Sequence, residues 1–120
     1  MARIVDGVLE AGELASSIGV ITFYAAQARH ITDALRGTGV EAKSVDGFQG
    51  REAELIILSC VRANSRGAIG FAADARRVNV ALTRARRGLI VLGDRATLAS
   101  DPLWAAWLAS VDAATRAAAV

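Results

Sequence analysis

Two short apolar runs constrain the fold of this chain more than any other feature of its sequence. They span Leu55–Val61 and Leu89–Leu92, and both have the length of a buried β-strand. Polar residues precede each run: Gln49, Gly50, Arg51 and Glu52 before the first, and Arg76, Arg77, Thr83, Arg84 and Arg86 before the second. Rigid strands with charged loops at one edge are how open α/β sheets build nucleotide sites.

The rest of the chain alternates between helical and strand-like patterns. We predict strands over Ile18–Tyr24, Val40–Val45, Ala53–Cys60 and Leu89–Leu92. Helices are predicted over Ala2–Leu14, Ala25–Arg36, Ala75 to about Arg86 and Pro102 to about Ala114, with a helical turn over Ala96–Ala99. Asp74 is a predicted N-cap, as is Ser100 or Asp101, and a loop covers Arg62–Gly70. This order predicts one α/β domain over residues 1–120, with a mostly parallel sheet.

The predicted helix from Ala75 to Arg86 carries several arginines. Arg77 and Arg84 are seven residues apart, so on a helix of this length they would share one face. Arg76 and Thr83 would share another face. The helix would then present arginines in at least two directions, toward a phosphate and toward solvent or a nucleic-acid backbone. Arg84 would therefore either stabilise the transition state at that phosphate or form a surface ion pair.

The charge of the chain is unevenly distributed. The formal net charge is +2, but residues 51–95 hold nine arginines and only four acidic residues. A solvated basic face explains such a distribution, and so does a phosphate-binding site. Arginine outnumbers lysine 13 to one, which suits bidentate phosphate recognition but also suits a GC-rich genome.

Several classes of protein are disfavoured by the composition. No apolar run approaches the roughly 20 residues that span a bilayer, and the N-terminus lacks the pattern of a signal peptide. Cys60 is the only cysteine, so an internal disulfide is excluded and no metal cluster is visible. We therefore predict a reducing compartment, the cytoplasm or the nucleus, with no membrane partner.

Three motifs resemble one known family. VITFYAAQ resembles motif IV, SVDGFQGREAELIILSCVRAN motif V and RRVNVALTRARRGLIVLGD motif VI of superfamily-one helicases, in the branch of the nonsense-mediated-decay helicase and senataxin. The matching region is their second RecA-like domain. The resemblance implies a three-layer RecA-like sandwich of the P-loop NTPase type, with the first strand of the domain missing from this chain. Phe23 and Ala75 stand where the family usually has proline.

The resemblance also implies roles for individual residues. As catalytic residues it implies Arg84, which would contact the γ-phosphate of ATP, and Gln49, which would help to couple nucleotide state to nucleic-acid grip. As nucleotide contacts it implies Gly50, Glu52 (to the ribose), Arg77, Tyr24 and Gln27. Tyr24 and Gln27 would lie near either the nucleotide cleft or the strand-binding groove, and Arg77 would be either catalytic or a buried structural partner. As nucleic-acid or coupling contacts it implies Ser44, Asp46, Arg62, Asn64 and Thr83.

The implied activity needs a second protein domain. The chain contains neither a G-x-x-x-x-G-K-[ST] loop nor the paired acids that hold magnesium. ATP and Mg²⁺ would therefore be bound by an N-terminal RecA-like domain with Walker A and B motifs, and single-stranded DNA or RNA would cross both domains. The isolated chain is predicted to be inactive. The alternative is a non-catalytic module that binds nucleic acid or regulates a helicase, and an open sheet edge would allow self-association.

Overall fold

Parallel strands covered by helices make up residues 2–60 and 74–119, the part of the chain that this computed structural model describes, with side chains for residues 3–60 and 74–112. The strands are β1 (Ile18–Thr22), β2 (Ala42–Ser44), β3 (Ala53–Ser59) and β4 (Ala85–Leu92). The helices are α1 (Ala2–Glu10), α2 (Ala25–Ala34), α3 (Ala75–Leu82), α4 (Arg95–Ala99) and α5 (Pro102–Ala119). Single 3₁₀ turns lie at Ala15–Ser17 and Asp46–Phe48.

The described strands form one sheet in the order β2-β1-β3-β4, and every pairing is parallel. Val20 of β1 is opposite both Ala42 of β2 and Ile57 of β3, and Ile57 is opposite Ile90 of β4. The prediction of an α/β fold with a mostly parallel sheet is confirmed.

Helices pack on both faces of the sheet because successive strand residues point to opposite sides. On one face, Val5 of α1 and Ala28 of α2 pack against Val20 and Ile57. The other face holds Ile21, Ile56 and Leu58 of the strands, packed against Val78 of α3, Leu98 of α4 and Trp104 of α5. These three layers agree with the predicted RecA-like sandwich.

Residues 45–52, which we call the crossing segment, lead from β2 back across one face of the sheet to β3. The segment begins at Val45, beside the last residue of β1, and the Val45 amide donates to the Thr22 carbonyl at 2.8 Å. Phe48 then packs under β1. A Cβ on Gly19 would lie 2.8 Å from Ile56 Cδ1 and 3.0 Å from Phe48 Cζ, so any larger residue here would force these side chains to shift.

The predicted helix from Ala75 to Arg86 is wrong at its end, because α3 stops at Leu82. The Thr83 hydroxyl donates back to the carbonyl of Asn79 at 2.8 Å and so satisfies a terminal helix carbonyl. The Arg84 carbonyl instead accepts from the Ala53 amide at 3.1 Å, which starts the pairing of β3 with β4. Arg77 and Arg84 therefore do not share a helix face.

Strand β4 also begins earlier than predicted. Arg86, the predicted end of the helix, and Gly88 both lie in this strand. A Cβ on Gly88 would come within 3.1 Å of Leu55 Cδ1, so glycine here allows the two strands to approach.

The predicted helix caps are confirmed where the structure tests them. The Asp74 side chain accepts from the amides of Arg76 and Arg77, and Asp101 accepts from those of Leu103 and Trp104. The final helix continues to Ala119, beyond the predicted end near Ala114. The predicted Arg62–Gly70 loop, with Arg62 and Asn64, lies outside the described residues.

Candidate functional site

The predicted site residues divide between the two edges of the sheet. In a parallel sheet all amino ends of the strands lie at one edge and all carboxyl ends at the other, and we call these the amino edge and the carboxyl edge. From Ala53 to Ser59, β3 spans about 20 Å at about 3.3 Å per residue. Residues at opposite edges therefore cannot contact one small molecule together unless it spans the sheet.

Arg84 and Glu52 meet at the amino edge. Each directly precedes a strand, and Ala53 is opposite Ala85 in the register of β3 and β4. The hydrogen bond from the Ala53 amide to the Arg84 carbonyl fixes the two backbones beside each other. The Glu52 side chain is 49% exposed and that of Arg84 is half-buried. Both charged groups are therefore available at the same edge.

The Arg84 guanidinium is held close to its own helix. Its Nε donates to the Val80 carbonyl at 3.1 Å, and its Nη2 donates to the Thr83 hydroxyl at 3.1 Å. Within the described residues, Nη1 donates no hydrogen bond. The side chain is thus oriented by two neighbours while keeping a donor for an anion. Thr83, expected among the nucleic-acid or coupling contacts, lies here beside Arg84, and that role stays a prediction.

The end of the crossing segment completes the amino edge. Gly50 has a φ of +76°, a conformation that favours glycine, and the space beside its Cα is open. The neighbouring Gln49 side chain is exposed. The Arg51 guanidinium lies 5.4 Å from the centre of the Phe48 ring, which anchors the segment.

The carboxyl edge holds a second set of predicted residues. Tyr24 stands at the N-cap position of α2, just after β1, and Gln27 lies in the first turn of that helix. The buried Thr22 hydroxyl donates to Gln27 Oε1 at 2.7 Å. Ser44 ends β2, and its Oγ accepts from the Gly47 amide at 3.1 Å. The structure does not bring Tyr24 and Gln27 together with Gly50 and Glu52.

Arg77 joins the crossing segment to α3. Its Nε and Nη2 donate to the two carboxylate oxygens of Asp46 at 3.2 and 3.1 Å, and its Nη1 donates to Asp74 Oδ2 at 3.0 Å. These hydrogen bonds hold the pKa of Asp46 below its ordinary value and raise that of Arg77. Arg77, expected among the nucleotide contacts, lies here beside Asp46 rather than with Glu52.

The sequence did not predict the row of alternating glutamates and arginines beside Glu52, which we call the charge ladder: Glu52, Arg86, Glu54, Arg87 and Glu13. Arg86 Nε donates to Glu52 Oε2 at 3.1 Å, and its Nη1 lies 3.5 Å from Glu54 Oε1. Arg87 donates to Glu54 at 2.8 Å and to Glu13 at 3.0 Å. The only sequence signal is the Arg-Arg pair itself, because the ladder depends on strand register.

Neither a metal site nor a membrane helix is found in the described part of the chain. Among residues 2–60 and 74–119, no group of three or more His, Cys, Asp or Glu side chains is arranged to hold a metal ion. A search of the same residues finds no helix with the length and apolar character needed to cross a bilayer.

Comparison with known proteins defines the class of this domain. Residues 1–96 match the family described as AAA domain, and the chain belongs to that family. The Regulator of nonsense transcripts 1 of Dictyostelium discoideum is 50% identical over 111 residues, covering 85% of this chain and 8% of the relative. The chain is thus a superfamily-one helicase-like domain, as its motifs predicted.

Two further relatives carry helicase names. The ATP-dependent helicase NAM7 of Saccharomyces cerevisiae is 47% identical over 111 residues, covering 85% of this chain and 11% of the relative. The probable helicase MAGATAMA 3 of Arabidopsis thaliana is 51% identical over 77 residues, covering 64% of this chain and 9% of the relative. The chain spans about a tenth of the length of these relatives.

Proposed function

We propose that this chain is the second motor domain of an ATP-dependent helicase or translocase, and that its amino edge faces ATP bound on a partner domain. One observation carries the proposal: Arg84 and Glu52 are held side by side at the same edge by the hydrogen bond between Ala53 and Arg84. A guanidinium and a carboxylate in this arrangement match the two ends of a nucleotide, its phosphates and its ribose. The helicase names of the relatives support the same reading.

The chemistry follows from the groups at the amino edge. Nη1 of Arg84, which donates no hydrogen bond to any residue that the structure describes, would donate to the γ-phosphate and stabilise the charge that develops there during hydrolysis. Such stabilisation is worth a rate factor of about 10³–10⁵ in comparable enzymes. Glu52 would accept hydrogen bonds from ribose hydroxyls. The open space beside Gly50 would allow the phosphates to approach the backbone. The partner domain would hold Mg²⁺ through its Walker motifs, whose sequence patterns do not occur in this chain.

We assign the carboxyl edge to the nucleic-acid strand. Tyr24, Gln27 and Ser44 lie there, about 20 Å from the proposed nucleotide contacts by the length of β3. The crossing segment and α3 both connect the two edges, and the pair of Asp46 with Arg77 ties them together. Arg77 would thus act in coupling rather than in binding ATP. Closure of the amino edge on ATP would then change the affinity of the carboxyl edge for the nucleic-acid strand.

The test is Arg84→Ala in the intact protein that carries this domain with its partner domain. We expect kcat for ATP hydrolysis to fall about 10³-fold, with KM for ATP within about threefold of the wild type. The matched control is Arg76→Ala, because Arg76 is exposed and its side chain forms no ion pair within the described residues. A kcat within threefold of the wild type for Arg84→Ala would refute the assignment.

The second edge has its own test. Tyr24→Ala should weaken binding of a single-stranded oligonucleotide while leaving KM for ATP unchanged. If the substitution instead raises KM for ATP, the nucleotide extends to the carboxyl edge and our division of the two edges is wrong. The isolated 120-residue chain should hydrolyse ATP no faster than the buffer control.

A further inference from the structure

We infer that Arg86 is a positioning residue that holds Glu52 in place for the ribose, an inference that rests on the proposed function of the amino edge. Arg86 Nε donates to one oxygen of the Glu52 carboxylate, Oε2, at 3.1 Å. Within the described residues the other oxygen, Oε1, accepts no hydrogen bond. Arg86 thus fixes the carboxylate through one oxygen and leaves the other for a ligand hydroxyl.

An irregularity in β4 brings Arg86 to this position. Ala53 is opposite Ala85 and Leu55 is opposite Gly88, so Glu54 alone stands opposite the two residues Arg86 and Arg87. This is a β-bulge, with one extra residue on β4. Bulges bend a strand and redirect its side chains, and they are common beside active sites. In a regular strand Arg86 and Arg87 would point to opposite faces. Here both contact Glu54, and Arg86 also contacts Glu52 just before β3.

Glu54 and Arg87 support Arg86 from its far side. Arg86 Nη1 lies 3.5 Å from Glu54 Oε1, and Glu54 Oε2 accepts from Arg87 Nε at 2.8 Å. Arg87 also binds both oxygens of Glu13, in the connection between α1 and β1. The guanidinium of Arg86 is therefore held between two carboxylates rather than by Glu52 alone, and its direction is set before any nucleotide arrives.

A structural role alone does not explain the pair of Arg86 and Glu52. The two side chains are 59% and 49% exposed, and exposed ion pairs contribute little to folding stability. Arg86→Ala should therefore leave the fold intact. Its effect should appear in ribose recognition, because an unheld carboxylate samples more rotamers and pays more entropy when it binds.

The experiment measures ATP hydrolysis by the intact two-domain protein with ATP and with 2′-deoxy-ATP. For Glu52→Ala we expect KM for ATP to rise about tenfold and the preference for ATP over 2′-deoxy-ATP to disappear. For Arg86→Ala we expect a rise of about three- to fivefold in KM, kcat within twofold and a reduced preference. Arg86→Lys should restore part of the loss. The matched control, Arg36→Ala, should change KM less than twofold, because Arg36 is an exposed arginine whose ion pair is with Asp33 and which contacts neither Glu52 nor Glu54.

The double variant separates positioning from an independent contact. If Arg86 acts through Glu52, then Glu52→Ala with Arg86→Ala should have the KM of Glu52→Ala alone. If Glu52→Ala raises KM but Arg86→Ala does not, or if the two effects multiply, the inference about Arg86 is overturned and the proposed function stands. If Glu52→Ala itself leaves KM and the ribose preference unchanged, the ribose contact in the proposed function fails. A melting temperature equal to that of the wild type confirms that each variant is folded.

Discussion

Gly19 is the position where one added methyl group tests the packing of the crossing segment most directly. An alanine Cβ there would lie 2.8 Å from Ile56 Cδ1 and 3.0 Å from Phe48 Cζ, both far inside normal contact distance. Ile56 is fully buried and Phe48 is 5% exposed, so the added methyl group can be accommodated only if side chains of the packed core shift. Gly19 does not have a positive φ, and Gly19→Ala therefore adds steric overlap without backbone strain.

The expected loss of stability follows from the cost of inserting a methyl group into a packed core, about 1–3 kcal/mol. For a chain of this size, each kcal/mol corresponds to about 4 °C in melting temperature. Gly19→Ala should therefore lower Tm by about 4–12 °C, measured by circular dichroism on heating, and urea titration should give the same free-energy difference. Adding Phe48→Leu should make the combined loss smaller than the sum of the single losses, because the two residues share one contact.

Gly7→Ala is the matched control. Gly7 lies within α1, and an added Cβ there would meet no atom within 4 Å. Alanine should raise the free energy of unfolding by about 0.5–1 kcal/mol, because glycine is a poor helix former. If Gly19→Ala is as stable as the wild type to within about 0.5 kcal/mol, the crossing segment does not pack under β1 as described.

Four other predictions concern the remaining core, a helix cap and two titratable groups. Trp104 is fully buried, so Trp104→Ala should cost about 3–5 kcal/mol in the free energy of unfolding by urea titration. Asp74→Ala removes the N-cap of α3 and should cost about 1 kcal/mol in the same assay. Burial raises the pKa of the Cys60 thiol to about 12, so alkylation at pH 8 should be slow until urea unfolds the chain. Hydrogen bonds from Arg77 lower the pKa of Asp46 in the folded chain. The ionised Asp46 therefore stabilises the fold above the pKa of an unfolded aspartate, about 3.9, and this contribution is lost as pH falls through the lower pKa of the folded state. The Tm difference between wild type and Asp46→Asn should therefore shrink below about pH 4.

The strands that form the centre of the sheet were predictable from the sequence. Leu55 to Leu58 is a continuous apolar run, and burial on both faces is what a central parallel strand requires. The N-caps at Asp74 and Asp101 were predictable for a similar reason, since an aspartate side chain accepts from nearby amides with little help from the rest of the fold. Local chemistry decides these features.

The end of α3 was not predictable in this way. Residues Ala85 to Arg87 have good helical propensity, and extending the helix through them is the natural local choice. Pairing of Ala53 with Ala85 overrides that propensity, because β3 supplies a hydrogen-bonded neighbour that no local pattern contains. The bulge opposite Glu54 and the ladder from Glu52 to Glu13 depend on the same register.

The division of the candidate site between two edges also depends on topology. Gln49 to Glu52 and Ser44 to Asp46 are close in sequence, yet the crossing segment places them toward opposite ends of the sheet. The motif residues alone do not predict this separation. The structure supplies it through the strand order, in which β3 lies beyond β1 from β2.

The proposed chemistry and the stability of the fold reside in different residues. Arg84, Glu52 and Arg86 are half-buried or exposed, and their ion pairs and hydrogen bonds lie at the surface, where each contributes little to folding. Phe48 and Gly19 instead determine where the crossing segment lies, by close packing that responds to a single methyl group. Substitutions at the amino edge should therefore report on nucleotide chemistry with little change in Tm. Substitutions under β1 should change Tm and also displace Glu52, which is only four residues from Phe48. Comparing the two sets separates a lost contact from a moved backbone, which activity measurements alone cannot do.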